Sequence, residues 1–168
     1  MEELIDIYTR DRKRTGETIP REGAFLKEGQ YMLYVLAILE NLDGKFLITQ
    51  RSHDKHWAGG WWEVTGGGVL SGETPLDAVK REVGEETGLN ITGMDLEPVY
   101  SYENVDLARG DNYMVDIYHI RFDFSEQDIT LQQSEAIDFK LATWKEICEI
   151  NNRGEFLHFN RLCQYLGR

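Results

Sequence analysis

Residues 66–89 read GGGVLSGETPLDAVKREVGEETGL, and the second half of this stretch describes one short, sharply bounded helix. Thr74 is a good N-cap, and Pro75 follows at the first helical position, where its missing N–H costs nothing. Asp77 stands where a capping box needs its acceptor, and Gly88 is a natural stop. Leu76, Val79, Val83 and the methyl of Thr87 recur at helical spacing, so one stripe of this helix must be covered by another layer. Glu82, Glu85 and Glu86 fall together beside that stripe. Each like-charge pair there costs roughly 0.2–0.5 kcal/mol. Gly84 inside the helix costs about 1 kcal/mol relative to Ala. Arg81 offers relief through Asp77 or Glu85, four residues to either side. Most acidic helices are simply solvated; the sequence around this one points elsewhere.

The other elements bracket it. LIDIYTRDRKRTGETIPREG reads as an N-terminal hairpin running into an extended arm, together residues 1–30. YMLYVLAILE and KFLITQRS are strands joined at NLDG, with Asp43-Gly44 as the turn. WWEVTGG is a short strand leading into the glycines. Strands are expected near 91–104, 112–124 and 136–143, and helices over 144–151 and 154–166. This order predicts an α+β (α/β layered) domain with a mixed sheet. No repeat, low-complexity tract or linker interrupts it, so residues 1–168 are expected to form a single domain.

Composition narrows the function. The formal net charge is −12, with a sequence pI near 4.7. That argues against nucleic acid or an anionic membrane as partner, and it suits divalent cations. Cys148 and Cys163 form neither a metal-ligand spacing nor a disulfide framework, which points to a reducing cytoplasm. MEELIDIYTR has no leader-like apolar run, and no stretch is long enough to cross a membrane.

The spacing of the opening stretch carries more. Gly67, Glu73, Arg81, Glu82, Val83, Glu85, Glu86, Gly88 and Leu89 fill every specified position of G-x5-E-x7-R-E-U-x-E-E-x-G-U, where U is bulky and apolar. A chance match in a chain of this length is on the order of 10⁻⁷. The segment resembles the Nudix box, and the likeness extends from about Tyr31 to Trp144. It implies a Nudix-like mixed β-sheet sandwiched between helices, and a metal-dependent hydrolase of diphosphate linkages. Such chemistry needs charge neutralised on phosphate oxygens and water activated, and Mg²⁺ or Mn²⁺ prefers oxygen ligands. By this resemblance Glu82, Glu85 and Glu86 are metal ligands, a carbonyl of Gly66 or Gly67 adds another, and Glu82 or Glu85 can act on the water. Arg81 and Glu73 hold the loop–helix unit together, and Gly68 with its neighbours lets backbone approach phosphate. QQSEAIDFKLATWKEI is similar to the family's late segment and puts Glu135 in the place of a further ligand or general base.

Arg51 ends a strand within reach of phosphates, with a structural ion pair as the alternative. Trp61 is the aromatic expected on substrate, while Trp57 and Trp62 share the choice between stacking and packing. His53, His56, Tyr100 and Tyr102 read more simply as turn and strand residues. DIYTRDRKRTGETIPREG, GKFLITQRS and K--W--GW are similar to the branch related to isopentenyl-diphosphate isomerase, but EVTGGGV lacks that enzyme's loop cysteine. The implied partner is a small-molecule diphosphate, and a homodimer fits as well as a monomer. An isomerase and a non-catalytic ligand-binding regulator are the alternatives to a hydrolase.

Overall fold

The computed structural model describes residues 1–167. Its central strand, β3 (Met32–Glu40), is apolar at nearly every position, the pattern of a strand covered on both faces. Leu33, Val35, Ala37 and Leu39 point into a core shared with Val79 and Val83 of helix α1 (Pro75–Thr87). Leu36 and Ile38 point the other way, into a core with Ile147 of α2 (Trp144–Asn152) and Leu162 of α3 (Phe159–Leu166). Val79 and Val83 are 0% exposed, and burial of each contributes about 1.5–3 kcal/mol.

The sheet around β3 is mixed, as expected. β8 (Tyr113–Arg121) runs parallel to it along its whole length, and β7 (Tyr100–Asn104) adds to β8 antiparallel. β6 (Thr65–Gly68) pairs antiparallel with β3, placing Gly67 opposite Val35. β4 (Phe46–Arg51) touches β3 only at Glu40 opposite Phe46, then carries β9 (Ala136–Ala142) and the two-residue β5 (Trp62–Glu63). The turn between β3 and β4 is closed by Gly44, whose φ is 76° and whose N–H donates to the Asn41 carbonyl at 3.0 Å.

The N-terminal hairpin, β1 (Leu4–Tyr8) with β2 (Arg14–Pro20), forms as expected. Ile5 and Ile7 seat it on Leu26 and Met32. It also grips the loop between β6 and α1. Asp6 accepts from the Ser71 hydroxyl at 2.8 Å and the Gly72 N–H at 3.0 Å. Ser71 N–H donates to the Leu4 carbonyl at 2.8 Å, and Arg14 donates to the Glu73 carbonyl at 2.6 Å.

Four boundaries depart from expectation. The strand expected from residue 91 begins only at Tyr100. Asn90 accepts from the Thr92 N–H at 3.0 Å to make a turn, and Pro98 lacks the donor a ladder needs. Ile91, Met94 and Leu96 still pack on the core from this irregular segment. The strand expected over 112–124 stops at Arg121, although Phe124 still packs on the core beyond it. WWEVTGG divides at Val64 into β5 and β6, which pair with different strands. The last helix starts at Phe159 rather than 154, because Trp62 N–H donates to the Glu155 carbonyl at 2.8 Å and Leu157 N–H to the Trp62 carbonyl at 2.9 Å. Backbone used in that pairing cannot turn into a helix.

Candidate active site

Helix α1 is fixed at both ends by the caps its sequence specifies. Thr74 Oγ1 accepts the Asp77 N–H at 3.1 Å, and Asp77 accepts the Thr74 N–H at 2.9 Å. Gly88 takes the left-handed conformation at φ 73° and donates to the Gly84 carbonyl at 3.0 Å. The helix therefore starts and stops at defined points, and its carboxylates are aimed by its rotation.

Arg81 organises the loop–helix unit. Its Nε and Nη2 meet the two oxygens of Glu73 at 2.6 and 3.0 Å, a bidentate pair. Nη2 also donates to the Gly68 carbonyl at 3.0 Å. Nη1 donates to Glu82 at 2.8 Å and to Glu85 at 3.3 Å. The expected partner Asp77 is absent from this network, because its carboxylate is committed to the Thr74 cap. Glu73 in turn accepts the Leu70 N–H at 2.9 Å. Burial works against its charge, yet the hydrogen bonds from Arg81 and Leu70 hold its carboxyl below the ordinary range.

The glycines serve close approach. A Cβ on Gly67 would stand 2.1 Å from Glu82 Oε1, and one on Gly66 2.4 Å from the Val35 carbonyl. Glu82 is buried against this backbone and Glu86 is half-buried, while Glu85 lies more open. Burial pushes the Glu82 carboxyl up despite Arg81. Glu86 is pushed well up, first by burial and then by the charges of Glu82, Glu63 and Glu135. Glu63, on β5, is raised by burial even though Arg51 donates to it at 3.0 Å. Glu86 thus feels carboxylates from its own helix, from β5 and from the loop at Glu135, and the Glu135 carboxylate is paired with Lys55.

Among the described residues, no three His, Cys, Asp or Glu side chains already converge as a preformed cation cage. Arg81 holds the Glu82 and Glu85 carboxylates to itself. The donor set nevertheless fits a hard divalent cation. It is all oxygen, and Glu82 is seated against Gly67 in space that any larger residue there would take from it.

A cleft of about 430 Å³ opens beside this cluster, touching Glu63, Gly66 and Gly67. Arg51 lines it and makes the structural ion pair that was its alternative reading, with Glu63; its Nε also donates to the Trp57 carbonyl at 3.3 Å, and its guanidinium lies 5.5 Å from the Trp57 ring centre. Trp61, expected on substrate, is not among the cleft walls, and Trp57 takes that place. Trp62 packs against the core shared with α2 and α3. Gly68 also stands outside the cleft walls, with its carbonyl on Arg81. His53, His56, Tyr100, Cys148 and Cys163 are likewise outside them, whereas Tyr102 is inside. Sequence reasoning missed Glu63 and Arg21. Glu63 had a weak signal, a lone acid inside the apolar run WWEV.

A mixed sheet between helices, with a tight glycine strand feeding an acid-faced helix, makes this an α+β layered fold. The chain belongs to the Nudix hydrolases: the NUDIX domain model matches residues 30–160. It is 32% identical over 158 residues to an uncharacterized Nudix hydrolase of Listeria monocytogenes, covering 92% of this chain and 88% of that one. A Bacillus subtilis Nudix hydrolase, also uncharacterized, is 32% identical over 123 residues, 73% of this chain and 71% of its own. A crystal structure from Deinococcus radiodurans shares the fold with a TM-score of 0.72 at 24% identity, covering 91% of both chains. The NUDIX domain of Shewanella oneidensis NrtR, solved with ADP ribose, superposes with a TM-score of 0.58 at 20% identity, over 71% of this chain and 77% of that one. The enzyme class expected from the sequence is thereby borne out. The narrower likeness to the isomerase branch gains no support from these relatives. No helix among the described residues is long and apolar enough to cross a membrane.

Proposed function

We propose that the protein hydrolyses a diphosphate linkage in a nucleoside diphosphate derivative or related small molecule, by attack of water at phosphorus, with Mg²⁺ or Mn²⁺ as cofactor. The carrying observation is that Glu63 and Gly67 line an arginine- and aromatic-lined cleft, with Glu82 of the acid-faced helix lying directly against Gly67. The ADP ribose in the Shewanella domain supports a nucleotide-like substrate. Glu82, Glu85 and Glu86 would hold the cation, with a carbonyl of Gly66 or Gly67 as a further donor. When bound, the cation neutralises phosphate oxygens and acidifies water.

The chain's own groups divide the remaining work. Arg51 and Trp57 hold the substrate from one wall. Glu135 is the favoured base: it comes from a separate loop anchored by Ser52 N–H to the Glu135 carbonyl at 2.9 Å, and its carboxylate is paired with Lys55. Glu82 is the next candidate for that role. Arg81 and Glu73 set the position of α1 against the glycine strand. The whole of residues 1–168 acts as one domain in this reading. Cys148 and Cys163 lie in α2 and α3 and offer no nucleophile at the glycine loop.

The test is a panel of diphosphates incubated in ¹⁸O-labelled water with Mg²⁺ or Mn²⁺. Label is expected on one phosphoryl product and not on an organic alcohol. Thermal melting adds a reading independent of turnover. Mg²⁺ should raise the midpoint of the wild-type protein and not of Glu86→Gln. Equal shifts in both would remove Glu86 from the cation site.

A further inference from the structure

The N-terminal hairpin lies outside the matched residues 30–160, yet it delivers a guanidinium to the cleft. Arg21 follows β2 directly. Its N–H donates to the Glu3 carbonyl at 2.9 Å, and its Nη1 donates to the Glu3 carboxylate at 2.8 Å. The residue is therefore held at backbone and side chain by the same neighbour. Its Nε and Cζ lie 3.2 and 3.3 Å from where a Gly68 Cβ would stand, so the guanidinium rests closely on the glycine strand.

Resting on the diphosphate reading above, we propose that Arg21 binds a non-bridging oxygen of the substrate's diphosphate, beside the carboxylate cluster. Three arginines line the cleft. Arg51 is already committed to Glu63 and to the Trp57 carbonyl. Arg109 is a loose surface group, 84% exposed and 3.9 Å from Asp106. Arg21 is 33% exposed; the Glu3 carboxylate and the Tyr34 hydroxyl engage part of its five-donor fork and leave the rest for another acceptor. Nor does Glu82 consume that charge, although Arg21 stands near enough to feel it, because Glu82 is hydrogen-bonded by Arg81 at 2.8 Å. A partly buried guanidinium with donors to spare, resting on Gly68 next to the Gly67 that meets Glu82, is suited to a phosphoryl oxygen. The substrate's anionic charge is then shared between the cation held by the glutamates and a fixed arginine on the hairpin.

The probe is methylenediphosphonate with Mg²⁺, a non-hydrolysable diphosphate without a nucleoside, titrated calorimetrically into the full chain. Arg21→Gln should weaken its binding about 10- to 100-fold, and Arg21→Lys should recover part of the loss. Glu3→Gln removes the same ion pair but keeps the guanidinium, and should weaken binding by less than about threefold. Thermal midpoints of Arg21→Gln and Glu3→Gln should fall together, since both lose the one surface pair. Equal binding by wild type and Arg21→Gln overturns the assignment of Arg21 alone. Equal losses in Arg21→Gln and Glu3→Gln overturn it too, by making the pair structural. A wild-type protein that neither binds the probe nor hydrolyses any diphosphate overturns the underlying reading, and the role of Arg21 with it.

Discussion

Gly67→Ala isolates the close approach on which the carboxylate cluster is built. Gly67 lies in regular pairing opposite Val35 and is not among the residues with positive φ, so alanine meets no backbone strain there. What it meets is the Glu82 carboxylate, at 2.1, 2.3 and 2.7 Å from the new Cβ. The carboxylate must swing away, and its hydrogen bond from Arg81 at 2.8 Å goes with it. Overpacking of this kind costs about 1–3 kcal/mol. For a chain of this size that lowers the thermal midpoint by about 3–10 °C. The obstacle is the end of one side chain, so removing that side chain should remove the cost. In a double-mutant cycle, Gly67→Ala with Glu82→Ala should be destabilised by about 1–3 kcal/mol less than the two single effects added. Urea unfolding of the four proteins measures this. Additive costs would refute the argument, because the glycine would then be needed for some other reason. Gly66→Ala is the contrast. Its Cβ meets the Val35 carbonyl at 2.4 Å, which is backbone, and no side-chain deletion should rescue it.

Other outcomes follow from the same geometry. Gly84→Ala should stabilise the protein by about 1 kcal/mol in urea unfolding, because the nearest atom to its Cβ is the Leu89 carbonyl at 3.9 Å and the helix gains propensity. Arg81→Lys should cost about 2–4 kcal/mol, since an ammonium cannot reproduce the bidentate grip on Glu73 together with the Gly68 and Glu82 contacts. Glu146 is pulled down to about 2, chiefly by Lys140 and then by the Thr143 N–H, from an ordinary value of 4.5. Its folded-state value is depressed, so its contribution is complete above about pH 4.5 and is lost as pH falls toward 2. The stability difference between wild type and Glu146→Gln should therefore vanish across that window in acid titration.

The parts of the site legible in the sequence were those specified locally. The capping box of Thr74 and Asp77, the stop at Gly88 and the buried stripe of α1 all depend on neighbours within a few residues. The pairing of Arg81 with Glu73 follows from the motif, whereas spacing alone leaves Asp77 and Glu85 equal as further partners, and the Thr74 cap decides between them by taking Asp77. Glu63 reaches the cluster only because β5 pairs with β4, setting Glu63 opposite Thr49. Arg21 reaches the cleft only because the hairpin folds over the glycine loop. Trp57 and Trp61 are near in sequence, and which one faces the cleft follows from the turn between β4 and β5. Arg21 depends on contacts between segments distant along the chain, and Glu63 and Trp57 on the register and turn geometry of one strand pair, none of which residue spacing specifies.

The placement of β3 also sets an order of assembly. Its long apolar run must find a parallel partner, β8, that lies far along the chain, and parallel pairing requires a crossover before any ladder bond forms. During synthesis MLYVLAILE leaves the ribosome well before residues 113–121 do, with one edge unpaired and its side chains exposed to solvent. That interval is the chain's main exposure to aggregation. Substitutions that weaken β8 should therefore appear in cells as insoluble protein and chaperone capture, more than as a lowered midpoint in the molecules that complete the sheet.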